Sequence, residues 1–245
     1  MRYAPDMPGL DARAEQQLRE YAADVERVLA GRCVGVVLYG SAAGVDFVAG
    51  SSDLNTVIVL RAVPAAALEA LAPVVARWRP HGFALPLVLD DAQVERAAQL
   101  FPMELDDIRR QHRLLVGRDP FAALAADEAA LRRECAQEAF GKLLRLRAFY
   151  LEHHARPEAL AGMMVESVKT FLIIVRHLLR LRGEPAPDAY EAVLAAGERV
   201  VGALPAMRRV LAARAAGSSA ALADAARAYV DEAERLAEAV VASCA

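Results

Sequence analysis

Gly40, Ser41, Asp53 and Asn55 are residues whose types and spacing suit chemistry. A glycine ahead of Ser41 lets the backbone come close to a ligand, and the serine hydroxyl can bond a phosphate oxygen. Eleven residues separate Ser41 from Asp53-Leu54-Asn55. Side chains alternate along an extended segment, so Asp53 and Asn55 share one face while Leu54 turns to the other. Two oxygen ligands, a carboxylate and an amide, then stand side by side.

Strands must hold these groups in place. Val34, Val36, Val37 and Leu38 form a β-branched run that ends at Tyr39-Gly40-Ser41, and Thr56 to Leu60 form a second run that opens at Ser52-Asp53-Leu54-Asn55. Each strand delivers polar groups at one end. Gly44 and Gly50 fall in the connection. A plain hairpin or βαβ crossing with a polar turn accounts for the glycines but not for the paired polar residues after them.

The stretch Val34 to Leu60 resembles the signature of the DNA polymerase β superfamily of nucleotidyltransferases: a hydrophobic residue, Gly-Ser, turn glycines, then Asp-x-Asp entering a hydrophobic strand. The resemblance implies an α+β chain, with a mixed sheet and flanking helices followed by an all-α helical bundle, as in the aminoglycoside-modifying members. It implies Mg²⁺-dependent transfer of a nucleotide monophosphate from a nucleoside triphosphate to a hydroxyl of a small molecule or macromolecule. Asp53, Asn55 and a third carboxylate would be the metal ligands and catalytic residues, and Gly40 and Ser41 would hold phosphate. One position departs from the pattern. The second aspartate is Asn55 here, and an amide offers an oxygen without a charge. A unit charge at roughly 4 Å in an effective dielectric near 20 is worth about 4 kcal/mol, or about a thousandfold in rate if all of it falls on the transition state. The same fold without that charge is a non-catalytic module that binds a nucleotide or a partner.

Around this core the chain reads as scaffold. Asp11 caps a helix to about Ala30, and Pro64 to Arg79 forms another with Trp78 as a core anchor. Phe83 to Leu89 is a third strand, and Asp90-Asp91 opens a short helix to Leu100, where carboxylates are favoured. Phe101 to Ile108 reads as a fourth strand, with Phe101, Met103 and Leu105 on one face and Glu104 and Asp106 on the other. The superfamily takes its third carboxylate from a strand beside Asp-x-Asp, which makes Glu104 the candidate metal ligand and general base and Asp106 its substitute. Both residues on a solvated face, beside Arg109, Arg110, His112 and Arg113, is the competing reading.

Gly117-Arg118-Asp119-Pro120 carries turn chemistry and sets the expected boundary between a nucleotidyltransferase-like part, 1–120, and a helical bundle, 121–245. Helices are expected from Asp127 to His154 and from Pro157 to about Arg182, then two or three shorter ones. Lys169, Arg176 and Arg180 lie seven and four residues apart on one helical stripe, and a triphosphate needs such cations. Solvation or pairing with acidic neighbours is the ordinary fate of such a stripe. Lys142 and Arg145 could serve the same end. Arg147 and His153 are spaced loosely like the ribonuclease motif of HEPN domains, but Ala148 stands where that motif carries a polar residue, and a solvated helix end explains His153 and His154 better.

The net charge of −3 argues against a chain-wide nucleic-acid or membrane footprint. No signal-peptide pattern opens the chain, so a cytoplasmic protein is expected. Phe171 to Leu181 is too short to span a bilayer. Cys33, Cys135 and Cys244 are odd in number and widely spaced, which suits buried or exposed free thiols and neither a zinc site nor a disulfide frame. GSAAG lacks the ending of a phosphate-cradling P-loop.

Overall fold

The computed structural model describes residues 10–44, 53–125, 127–218 and 222–244. Gly50 and Ser52 of the expected motif, and most of the opening segment, lie outside the described residues. The chain divides into two compact units, Met1–Asp127 and Glu128–Ala245.

The first unit is built on a four-stranded mixed sheet. Its strands are β1 (Cys33–Tyr39), β2 (Asn55–Leu60), β3 (Leu87–Asp90) and β4 (His112–Gly117), in the order β3-β2-β1-β4. β1 runs antiparallel to β2 and β4, and β3 runs parallel to β2. That parallel pairing requires a crossover, and α2 (Ala65–Trp78) supplies it. Ahead of the sheet, α1 (Ala12–Leu29) starts where the Asp11 carboxylate accepts from the backbone of Ala14 at 2.7 Å.

Strand alternation sends side chains into two cores. Leu38, Leu54 and Ile58 pack with Leu18, Tyr21 and Val25 of α1 and with Leu71 and Trp78 of α2. Trp78 is the expected anchor: it is buried, and its Nε1 donates to Asp24 at 3.0 Å. On the other face Val37, Val57 and Val59 pack with Val94, Leu105, Ile108 and Phe121. Tyr39 joins this second core. Asn55 and Asp53 share the parity of Val57, so they belong to the same side as Tyr39.

The segment after β3 differs from the sequence expectation. Asp90 caps α3 (Asp91–Leu100), exchanging hydrogen bonds with Gln93 in a capping box. Phe101 to Ile108 is no strand: α4 runs Pro102–Arg110. Pro102 occupies the first helical position, where its missing N–H costs nothing. Asp106 then meets Arg109 at 2.7 Å and Arg110 at 2.8 Å, three and four residues on. The fourth strand is instead His112–Gly117, a stretch expected to be charged surface. Arg113 is buried there in a forked ion pair with Glu15 of α1, at 2.6 and 3.0 Å. β3 is also shorter than expected at its start, where Phe83 makes only an isolated bridge to Leu54.

The second unit is helical among its described residues: α5 (Glu128–His153), α6 (Pro157–Leu181), α7 (Tyr190–Val201), α8 (Pro205–Ala215) and α9 (Ala226–Cys244). α6 is its centre. Leu160, Met164, Val168, Phe171, Leu172, Val175, Leu178 and Leu179 are all buried, a stripe wide enough to pack neighbours on several sides. Proline begins α6 and α8, and the left-handed Gly183 follows α6. Among the described residues no helix is long and apolar enough to cross a membrane.

Candidate functional site

Tyr39, the last residue of β1, lies opposite Asn55 of β2 on one side and His112 of β4 on the other. Gly40 then turns the chain with φ of +76° and opens a 3-10 turn through Ala43. A side chain is disfavoured there by the backbone conformation. The left-handed conformation suits glycine, and a Cβ would stand 3.4 Å from Nδ2 of Asn55. The Gly40-Ser41 turn and the Asp53-Leu54-Asn55 segment therefore lie against each other at one end of the sheet. Asp53 is exposed, while Ser41 and Asn55 are half-buried. The Asn55 amide donates to the Asp53 carbonyl at 3.4 Å.

Two neighbours escaped the sequence reading. The Gln111 side chain lies directly over Gly44, with Nε2 only 2.1 Å from where a Cβ would stand. Next to it, His112 bonds the Ile108 carbonyl at 2.8 Å through Nδ1 and the Asp119 carboxylate at 3.1 Å through Nε2. Their only local signal was polarity just before an apolar run.

Glu104 projects from the first turn of α4 and not from a strand. Its charge still reaches the Gly-Ser end of the sheet, because burial and then the Glu104 carboxylate push the Tyr39 phenol up to about 12. Asp106 is no substitute, being buried beneath Arg109 and Arg110. Asp90 stands opposite Leu60, at the far end of β2 from Asn55, and Asp91 pairs with Arg118 at 2.7 Å. Both aspartates are scaffold.

In the second unit the expected basic stripe is not a solvated one. Arg176 is 6 % exposed. Its guanidinium lies 5.3 Å from the centre of the Tyr190 ring and donates to the Asp188 carbonyl, and its Nε is buried without a hydrogen-bond partner. Lys169 approaches the same ring at 5.5 Å. Two cations beside one aromatic ring gather positive charge at the start of α7. Arg145 stands 3.9 Å from Glu138. The ribonuclease-like pair is otherwise engaged: Arg147 is bonded to Glu234, and His153 stacks on Phe149 with ring centres 4.0 Å apart.

No protein-family model matches the sequence, and no curated protein matches it either. Among solved structures, the chain superposes on spectinomycin adenyltransferase AAD(9) from Enterococcus faecialis, crystallised with ATP and spectinomycin, with a TM-score of 0.58. Sequence identity is 14 %, over 91 % of this chain and 98 % of that one. The fold is that of a nucleotidyltransferase.

Within that nucleotidyltransferase fold, the fit of a magnesium ion turns on the donors at the Gly-Ser end. Asp53 brings one carboxylate, Asn55 a neutral amide, and Glu104 a carboxylate on a separate element. Among the described residues no three His, Cys, Asp or Glu side chains gather closely enough to hold a metal ion. Magnesium binds through carboxylates in a near-ideal octahedron and gives up water reluctantly. The donor set as it stands does not fit the paired-metal arrangement implied by the superfamily resemblance.

Proposed function

We propose that this protein is a nucleotidyltransferase-fold module that binds a nucleoside triphosphate and has lost most or all of the transfer chemistry. The observation that carries this reading is Asn55. It stands where the superfamily signature has its second carboxylate, lies against Gly40, and has its amide turned to the Asp53 carbonyl. Without the second charge, the developing negative charge of a phosphoryl transition state goes unmatched at that point.

Binding is retained through other groups. Gly40 lets phosphate approach the backbone, and the Ser41 hydroxyl is a donor for a phosphate oxygen. Lys169 and Arg176 of the second unit are already engaged with the Tyr190 ring, so the proposed phosphate contacts are those of Gly40 and Ser41. The likeness to a structure holding ATP and spectinomycin supports a triphosphate as ligand and a small hydroxyl compound as the acceptor class of any residual transfer.

The active alternative keeps Asp53, Asn55 and Glu104 as a weakened catalytic set. One observation favours it, the reach of the Glu104 charge to Tyr39. Calorimetric titration of ATP into the wild type and into a Ser41→Ala variant tests the proposal, alongside a transfer assay with radiolabelled ATP. Micromolar to millimolar ATP binding, weakened in Ser41→Ala and without measurable transfer, is expected. Failure of the wild type to bind ATP would overturn it, and robust transfer would return the protein to the enzymes.

A further inference from the structure

Cys135 and Cys244 are far apart in sequence and lie on α5 and α9, two helices of the second unit that pack on each other. Cys135 is fully buried on α5, and Cys244 is the half-buried last residue of α9. One turn before Cys135, Arg132 fixes the end of α9: Nη1 donates to the Ser243 carbonyl at 2.9 Å, and Nη2 to the Leu181 carbonyl at 3.2 Å at the end of α6. Ser243 is the residue next to Cys244. The same guanidinium thus sets both the register of α9 on α5 and the position of the second thiol. The packing of α9 on α5 brings Cys244 within electrostatic reach of the Cys135 thiol, and Cys135 donates to the Ile174 carbonyl at 3.8 Å. Cys33 belongs to the first unit, where it packs against the α1 and α2 core.

The geometry points to a redox-formed staple, in which Cys135 and Cys244 join as a disulfide that locks the end of α9 onto α5. Half-buried Cys244 is the entry point. Its thiolate attacks a peroxide oxygen, releasing hydroxide and leaving a sulfenic acid. The Cys135 thiol then displaces water from that sulfur, so two thiols and one hydrogen peroxide give one disulfide and two waters. The sulfur pair is oxidised and the peroxide reduced. Burial raises both thiols above their ordinary range, so the staple forms slowly at neutral pH and faster as pH rises. Closing so long a loop removes freedom from the unfolded chain and stabilises the fold that remains.

The test uses the whole chain treated with hydrogen peroxide at pH 7 and pH 9, then alkylated and digested without reduction. Three results are expected. A peptide linking Cys135 to Cys244 appears, Cys33 stays alkylatable, and Tm rises by roughly 5–10 °C in a way that dithiothreitol reverses. Cys244→Ser, which changes only a half-buried helix end, abolishes the linked peptide and the Tm shift while leaving the reduced Tm unchanged. A crosslink between molecules, a bond to Cys33, or peroxide treatment that leaves both thiols alkylatable would each overturn the staple.

Discussion

At position 55 an amide stands two residues from Asp53, where the signature that this stretch resembles carries a second carboxylate. Strand alternation put Asn55 and Asp53 on one face, and the approach of that segment to the Gly40 turn was legible only with the family spacing added. Gln111 and His112 were not legible, because they arrive from a helix end seventy residues or so downstream through a fold that local pattern does not encode. Gly40 offers a check at this scale. Gly40→Ala forces a Cβ into a left-handed backbone and toward the Asn55 amide, so we expect a loss of about 1–2 kcal/mol in urea unfolding. Weaker ATP binding should accompany it, measured on the folded fraction. An unchanged midpoint and affinity would mean that the turn is not held as described.

Among the elements, α4 and β4 show where local sequence misleads. Phe101, Met103 and Leu105 alternate as a strand would, yet Met103, Leu105, Asp106 and Ile108 are buried on a helix. Pro102 at the first helical position, and arginines three and four residues past Asp106, were the helical signals. The strand that follows was hidden by Arg113, a charge at a core position that makes sense only with Glu15 of α1 beside it. That pair gives a prediction for α1 docking. Glu15→Ala strands a buried guanidinium and should cost about 3–5 kcal/mol, whereas the double change Glu15→Leu with Arg113→Met should recover most of it. A double variant as unstable as the single one would show that the charges themselves stabilise the contact. The Asp90 cap is a smaller case. Asp90→Ala removes the capping box of α3, and a loss of about 1 kcal/mol is expected by chemical denaturation.

At the scale of the whole chain, each unit has a carboxylate whose protonation should weaken it in acid. Burial works to raise Asp24 in the first unit, but the Trp78 indole, Arg27 and Arg77 outweigh it and hold the carboxyl below its ordinary value. Glu198 in the second unit is likewise raised by burial and brought down further by the Leu204 amide and Arg208. A group lowered in the folded state contributes stability that is present above its unfolded value and lost as pH falls through the folded one. Glu232 runs the other way, because burial raises it above its ordinary value despite the Ala206 and Met207 amides it accepts. Its contribution falls as pH rises through that raised value. Urea midpoints should therefore hold between about pH 6 and 8 and drop between about pH 5 and 3. Trp78, the single tryptophan, reports on the first unit by fluorescence, and helical circular dichroism reports mainly on the second. Asp24→Asn should flatten the acid limb seen by fluorescence while leaving the helical signal's limb in place, and equal flattening of both would contradict the assignment.

The proposed site is one carboxylate short of the chemistry implied by the signature it resembles. Isothermal titration of Mg²⁺ with ATP into wild type, Asn55→Asp and Asp53→Ala addresses it directly. The account predicts weak metal binding in the wild type and at least a tenfold gain in Asn55→Asp, about 1.4 kcal/mol or more. That gain should bring measurable nucleotide transfer, and Asp53→Ala should lose what little metal binding the wild type has. Identical metal affinity in all three proteins, with Asn55→Asp merely less stable in metal-free buffer from carboxylate repulsion, would contradict it.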